Sequence, residues 1–314
     1  MTLFKVVSPG PCTTVQDLGR FDFLHMGVPA SGAVDRFAAR VANWLVGNSD
    51  DAAVLEITVI GPRFEVQAEA DVALTGAEMT LQINKQPVPA WASSRVKPGD
   101  LLQVGMATGG CRGYLAVSGG IAVTPVMGSR STYLGGKLGG FAGRPLKAGD
   151  LVARGPQPLL ERPRQLPAEW IRPCPNEIFL RAIQGPQEDA FYDSLDLFFS
   201  TRYEVSAKAD RMGYRLSGTP ISHNAGHPES IISEPSVPGN VQIPADGQPI
   251  ILLAEQTVGG YSKIATVISS DLDRVGQAKP GDKVRFEQVS LERAHAIFSE
   301  RQRRFQEIKA LLSG

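Results

Sequence analysis

The sequence predicts a mainly β protein built from two related halves, on three observations. Glycine and proline number 33 and 23 in 314 residues, which suits short strands joined by tight turns better than long helices. Short apolar and β-branched runs recur along the chain between Gly, Pro and Asn punctuation, the pattern of a barrel or sandwich. The tetrapeptides Lys97-Pro-Gly-Asp100, Lys147-Ala-Gly-Asp150 and Lys279-Pro-Gly-Asp282 each precede an apolar strand; their irregular spacing excludes a fixed repeat and fits duplicated barrels.

In chain order, Leu3 to Val7 reads as a strand stopped by Ser8-Pro9-Gly10-Pro11, followed by the mixed polar and β-branched run T-T-V-Q-D-L-G-R at residues 13–20. Glycines and prolines make His25 to Asp35 a loop. Val34, Phe37, Ala38, Val41 and Leu45 then share one helical face, with Asp35 in the first turn, where the helix dipole favours an acid, and Gly47-Asn48 as the stop. Strands are expected over Ala53–Ile60, Arg63–Val66, Val72–Leu74, Thr80–Ile83 and Leu101–Val104, and Tyr114 to Ile121 reads as a buried strand ending in a glycine pair. Residues 155–175 are rich in Pro, Arg and Glu and lack periodicity, so they read as a linker between domains at 1–160 and 176–314. The tail from Leu291 to Leu312 carries an apolar stripe and reads as a docking helix.

The stretch Ile250 to Val267 is the most informative. Five apolar residues run into Glu255, Gln256 and Thr257, pause at Gly259-Gly260, and resume as a β-branched run. A strand buried on both faces that ends in polar groups should lie at the end of a sheet, where sites form. Two readings stay open: a ligand-contacting loop, with glycines for close backbone approach, or a bulge between two strands with a solvated Glu.

Composition narrows the function. Basic and acidic residues balance at 32 each, so no basic field exists to hold nucleic acid or anionic lipid. The chain opens without a leader-like segment and has no span-length apolar run, which predicts a cytoplasmic protein. Cys12, Cys111 and Cys174 are odd in number and widely spaced, arguing against a disulfide framework or zinc site. His223 and His227 have metal-like spacing but no third ligand nearby, so no metal is predicted. There is no P-loop: Gly135-Gly136-Lys137 lacks the upstream glycine, and Leu138 stands where the hydroxyl should be. The serine-elbow, H-E-x-x-H and dinucleotide motifs are missing as well. No Met-Lys dipeptide occurs, so the chain is not a biotin carrier of the usual type.

Four polar clusters remain. Gly128-Ser129-Arg130-Ser131-Thr132 could hold an anion through hydroxyls, guanidinium and backbone N–H groups, or be a plain turn. Asp210 to Arg215 places Arg211 and Arg215 around a glycine, suited to grip a carboxylate or to cover a sheet edge. Gly239 to Pro249 contains Gln242 and a Pro-Ala-Asp-Gly turn; Glu255-Gln256-Thr257 is the last.

The runs T-T-V-Q-D-L-G-R, Y-L-A-V-S-G-G-I, G-S-R-S-T, D-R-M-G-Y-R-L, Q-I-P-A-D-G-Q-P-I and Q-T-V-G-G-Y-S-K-I-A-T-V-I resemble the family of the 5-oxoprolinase C subunits, also called allophanate hydrolase subunit 2-like or biotin-dependent carboxyltransferase family proteins, from about Val6 to Arg293. The resemblance implies two tandem cyclophilin-like β-barrel domains and ATP-dependent opening of 5-oxoproline to glutamate. It also implies two partners, a protein like the B subunit of 5-oxoprolinase and the A subunit of that enzyme. Glu255 and Val258 depart from the Asp and second Thr usual in the family. 5-Oxoproline is a resonance-stabilised lactam, so phosphorylating its amide oxygen would drive the opening. That chemistry needs a cation for the carboxylate, donors for the amide oxygen, and an acid or base within reach. Glu255, Gln256 and Thr257 are the candidate catalytic residues, and Ser129, Arg130, Arg211, Arg215, Gln242, Gly259 and Gly260 the candidate substrate-binding ones. The alternatives are carboxyl transfer from carboxybiotin on a separate carrier, with biotin as cofactor in that case alone, or a regulator binding a kinase-inhibitor-like partner.

Overall fold

A computed structural model describes residues 1–313; Gly314, the end of the expected second domain, lies outside the described residues. The chain divides into two compact units that are not contiguous in sequence. The first comprises Met1–Phe21, Ser31–Cys174 and the chain from Arg304 onward; the second comprises Asp22–Ala30 and Pro175–Arg303. The crossing of the tail has a packing cause. Phe305, Ile308 and Leu312 lie in one buried cluster with Phe37, Val41, Trp44 and Leu45 of the helix Arg36–Leu45, and the Phe305 ring meets Phe37 at 5.8 Å and Trp44 edge-on at 6.0 Å.

In the first unit two antiparallel sheets share one core. The six-stranded sheet runs Leu151–Ala153, Thr2–Ser8, Arg63–Val66, Leu101–Val104, Leu81–Ile83, Gln86–Val88, and the five-stranded sheet runs Cys12–Gln16, Val54–Thr58, Gly109–Val117, Ala70–Glu78, Ser93–Val96. Leu3, Phe4, Phe64 and Leu102 of the one pack with Leu55, Val72, Leu74 and Leu115 of the other. The strand Ala70–Glu78 is longer than Val72–Leu74 because its pairing partners override the weak strand preference of Ala, Asp, Gly and Glu. The expected strand to Ile60 stops at Thr58, because Val59 turns to φ 63°. Asp35 is the helix cap rather than a first-turn residue: its carboxylate accepts the Ala38 N–H at 2.9 Å.

The three Lys-x-Gly-Asp tetrapeptides fold alike. In each, the Asp carboxylate accepts the backbone N–H of the Lys, at 2.7, 2.7 and 2.9 Å, and the Gly takes φ of 90°, 87° and 92°. Each turn feeds a strand: Leu101–Val104, Leu151–Ala153 and Lys283–Gln288.

The second unit is a closed seven-stranded barrel in the order Glu177–Gln184, Lys263–Val267, Asn240–Gln242, Ile250–Leu252, Gly213–Ser217, Tyr203–Val205, Lys283–Gln288. Six neighbouring pairs are antiparallel, and Lys283–Gln288 closes the ring by lying parallel to Glu177–Gln184. A separate two-stranded ribbon, Ser230–Pro235 with Val258–Tyr261, stands off the barrel. The helix Leu291–Ser313 follows, as the tail pattern predicts; Ala294 and Ile297 pack on Ile268, and Arg301 bonds Asp273 at 2.5 Å.

Two outcomes are expected. Phe305→Ala empties the tail's largest anchor in the first unit and should cost about 3–5 kcal/mol, read by denaturant unfolding; an unchanged midpoint would contradict that packing. Asp150 is gripped by Arg144 at 2.7 and 2.9 Å, and this bond, with the Lys147 N–H, holds its carboxyl below its ordinary value. Because the folded value lies below the unfolded one, the stabilisation is full above about pH 4 and is lost as pH falls further. Asp150→Asn should therefore lower the melting temperature at pH 7 and narrow its gap to wild type below pH 4.

Candidate functional site

Alternation along the barrel strands sorts inner from outer side chains. Tyr214, Ile251 and Val241 pair across three strands and are buried, while their neighbours Arg215, Ile250 and Gln242 pair across the same strands on the opposite, outer face. On that face lies an open cleft of about 190 Å³. Its floor is Gly213, Ile250, Leu252 and Gln242; Lys208, Asp210, Met212 and Arg215 line it from one strand and its preceding loop, and Gln256 and Tyr261 from the ribbon side. The cleft thus offers two cations, one carboxylate, two amides and a phenol around an apolar base, a set suited to a small polar molecule carrying negative charge.

A buried ion pair stands behind it. Arg211 Nε donates to Glu255 Oε1 at 2.6 Å, with side chains only 8% and 5% exposed. Backbone bonds continue the splice, from Leu253 N–H to Met212 C=O at 2.9 Å and Glu255 N–H to Arg211 C=O at 3.3 Å. Asp210 closes its own turn by accepting the N–H groups of Met212 and Gly213. The loop leading into the strand of Arg215 and the turn carrying Gln256 are therefore fixed to each other by Arg211 and Glu255, which do not line the cleft. Thr257 accepts the Ser236 N–H through its carbonyl at 3.0 Å.

Gly259 serves a close approach: a Cβ there would lie 2.2 Å from Gln242 Nε2 and 3.2 Å from Ser236 Oγ. At Gly260 the nearest contact of a Cβ would be Ser233 Oγ at 3.2 Å. The remaining expected residues, Ser129 and Arg130, belong to the first unit. There Asp17 gathers the G-S-R-S-T loop, accepting the Ser129 hydroxyl at 2.7 Å, the Ser131 hydroxyl at 2.5 Å and the Arg130 N–H at 2.5 Å. Arg20 donates to the Ser131 carbonyl, so the loop binds the T-T-V-Q-D-L-G-R segment. Lys208 and Tyr261 are the cleft residues that sequence reasoning missed; Tyr261 lay inside a motif run, whereas nothing around Lys208 marked it.

His223 packs on Phe191, ring centroids 4.5 Å apart, and burial holds its imidazole below its ordinary value. Among the described residues, no group of three or more His, Cys, Asp or Glu side chains is placed to share a metal ion, and no helix is long and apolar enough to cross a membrane.

Gly259→Ala should push the Gln242 amide out of the cleft while moving the melting temperature little, because the clash is with the end of a flexible side chain. A crystal structure of the variant with Gln242 unmoved would refute this.

The profile described as "Carboxyltransferase domain, subdomain A and B" matches residues 26–288. The chain is 37% identical to the 5-oxoprolinase C subunit of Escherichia coli, over 98% of this chain and 97% of that one. It is 34% identical to the 5-oxoprolinase C subunit of Haemophilus influenzae, over 90% and 89%. The crystal structure of Kluyveromyces lactis urea carboxylase superposes with a TM-score of 0.92 at 30% identity, covering 98% of this chain but 29% of that one, so the chain spans less than a third of that protein. A match of this extent leaves one conclusion: the chain belongs to the carboxyltransferase-domain family, subdomains A and B, alongside the bacterial 5-oxoprolinase C subunits.

Proposed function

We propose that the chain is one component of an ATP-dependent 5-oxoprolinase that opens 5-oxoproline to L-glutamate, working with a protein like the B subunit of that enzyme and with its A subunit. The observation that carries this reading is the end-to-end correspondence with the Escherichia coli C subunit, which leaves almost no part of either chain unmatched. The cleft suits the substrate class. Lys208 and Arg215 give the cleft positive charge that draws in an acid, while the Gln242 and Gln256 amides stand where an amide oxygen on which charge develops could be met. Tyr261 supplies a phenol at the rim.

ATP supplies the driving force by making the amide carbon electrophilic. Gly135-Gly136-Lys137 is not a P-loop for it: the segment lies in a run of turns with no helix following, and the Tyr133 ring would meet a Cβ at Gly136 at 2.7 Å. In this reading the nucleotide site lies in the complex or is shared with it.

Glu255 acts in this scheme as a positioning residue, through Arg211. Glu255→Gln removes the carboxylate that accepts Arg211 Nε in this buried pair and should cost about 3 kcal/mol, while Glu255→Asp is tolerated. Folded Glu255→Gln complex should keep most of its turnover; a hundredfold loss without a change in melting temperature would instead make Glu255 an acid or base.

A second reading, carboxyl transfer from a separate carrier, is favoured by the close superposition on urea carboxylase. One experiment separates the two: co-purification with the B-like protein, then an assay for 5-oxoproline-dependent ATP hydrolysis with the A subunit present. Turnover supports the 5-oxoprolinase reading; none with all three subunits, alongside carboxyl transfer when a carboxylated carrier is added, supports the other. The purified chain alone is expected to be nearly inactive.

A further inference from the structure

The outer-face row that floors the cleft does not stop at Gln242. Gln242 pairs with Lys263 on the next strand, after a bulge, so Arg215, Ile250, Gln242 and Lys263 form one line across four strands. Neighbouring strands lie about 4.8 Å apart, which sets Lys263 one strand beyond a residue that lines the cleft. Its side chain is 2% exposed. A buried ammonium requires a partner, and the one carboxylate bonded to it among the described residues is Glu234, at 2.5 Å. That leaves two of its three N–H donors without a protein acceptor there.

Glu234 is an unusual mate for so buried a cation. It is 41% exposed and sits on the ribbon Ser230–Pro235, whose neighbour Ile232 is 93% exposed. A two-stranded ribbon is weakly stable by itself, and Glu234 with Gln187 ties it down: Gln187 donates to Glu234 at 2.9 Å and accepts the Lys263 N–H at 3.1 Å. Beside the row, Ser236 Oγ is buried with no hydrogen-bond partner, and both it and Gln242 Nε2 crowd the position of Gly259. A buried cation with spare donors, an orphan hydroxyl and a cleft amide thus lie together beside a two-stranded ribbon tied down through Glu234.

We propose that Lys263 binds the carboxylate of the substrate, a small cyclic amide acid, and that Glu234 is an internal carboxylate which the substrate displaces as the ribbon lifts. The proposal rests on the 5-oxoprolinase reading for the identity of the acid. Gln242 and the Ser236 hydroxyl then face the amide of the ligand. The specificity follows from the row: a ring short enough to reach Gln242 while its carboxylate meets Lys263 is held at both ends.

The test is calorimetric titration of the three-subunit complex without ATP, using 5-oxoproline, cyclopentanecarboxylate and 2-pyrrolidinone as probes. Lys263→Gln should weaken both acids at least tenfold and leave 2-pyrrolidinone unchanged. Glu234→Gln removes the competitor and should tighten the acids several-fold, which a purely structural bridge would not do. Ser236→Ala should weaken 2-pyrrolidinone without lowering the melting temperature, because it removes a hydroxyl that bonds nothing. Unchanged acid affinity in folded Lys263→Gln, weaker acid binding in Glu234→Gln, or no binding by the wild-type complex overturns the proposal; should Lys263→Gln not fold, Glu234→Gln decides. The two readings fail separately. Turnover of 5-oxoproline with an unaltered KM in Lys263→Gln removes the lysine and keeps the enzyme, whereas Lys263-dependent binding of cyclopentanecarboxylate in a complex that never turns over 5-oxoproline does the reverse.

Discussion

The parallel pairing of Lys283–Gln288 with Glu177–Gln184 is the constraint on which the second unit depends. Every other neighbouring pair in the barrel is antiparallel, and without this one the sheet would end in two open edges. Closure fixes the tilt and register of all seven strands at once. It decides which residues of Gly213–Ser217, Asn240–Gln242 and Ile250–Leu252 face outward, and so which side chains can form a cleft there. The turn Lys279–Asp282 delivers the closing strand, and its Gly281 at φ 92° shows how a local backbone requirement serves a distant functional surface.

Around that surface polar groups fall into two roles. Arg211 and Glu255 spend their charges on each other and hold two loops in register. Arg215, Lys208, Gln242 and Gln256 are held by the same loops and strands and line the cleft. The first unit shows the structural role without the cleft: Asp17 draws together the hydroxyls and amide of residues 129–131 and so joins two segments more than a hundred residues apart in sequence. Motif residues that look alike in sequence, an acid beside an arginine or a serine-rich turn, thus divide between bracing and display.

Much of this was legible. Arg63–Val66 and Leu101–Val104 have the bounds their Gly, Pro and Asn neighbours mark, and the helix Arg36–Leu45 follows its apolar face. The stretch from Ile250 onward is a buried strand, a polar turn and a ribbon, close to the alternation its residues suggest. What escaped depends on pairing. Periodicity cannot say that Lys263 stands opposite Gln242, because a bulge shifts the register between Val241 and Gln242. Nor can spacing tell that Glu255 turns away from the cleft to meet Arg211 while Gln256 faces it. The non-contiguous units were hidden for a similar reason: an apolar stripe announces that a helix docks, but not on which core.

That last helix has a consequence for how the chain is made. Phe305, Ile308 and Leu312 belong to a core otherwise assembled from residues 33–171, so a nascent chain emerging from the ribosome can complete the second unit's barrel strands before the first unit receives its final side chains. The half synthesised first is the half finished last. Until residues 305–312 have been made, the part of that core beside Phe37 and Trp44 lacks the Phe305 ring, so a break in the chain before them would act on packing far from the missing residues.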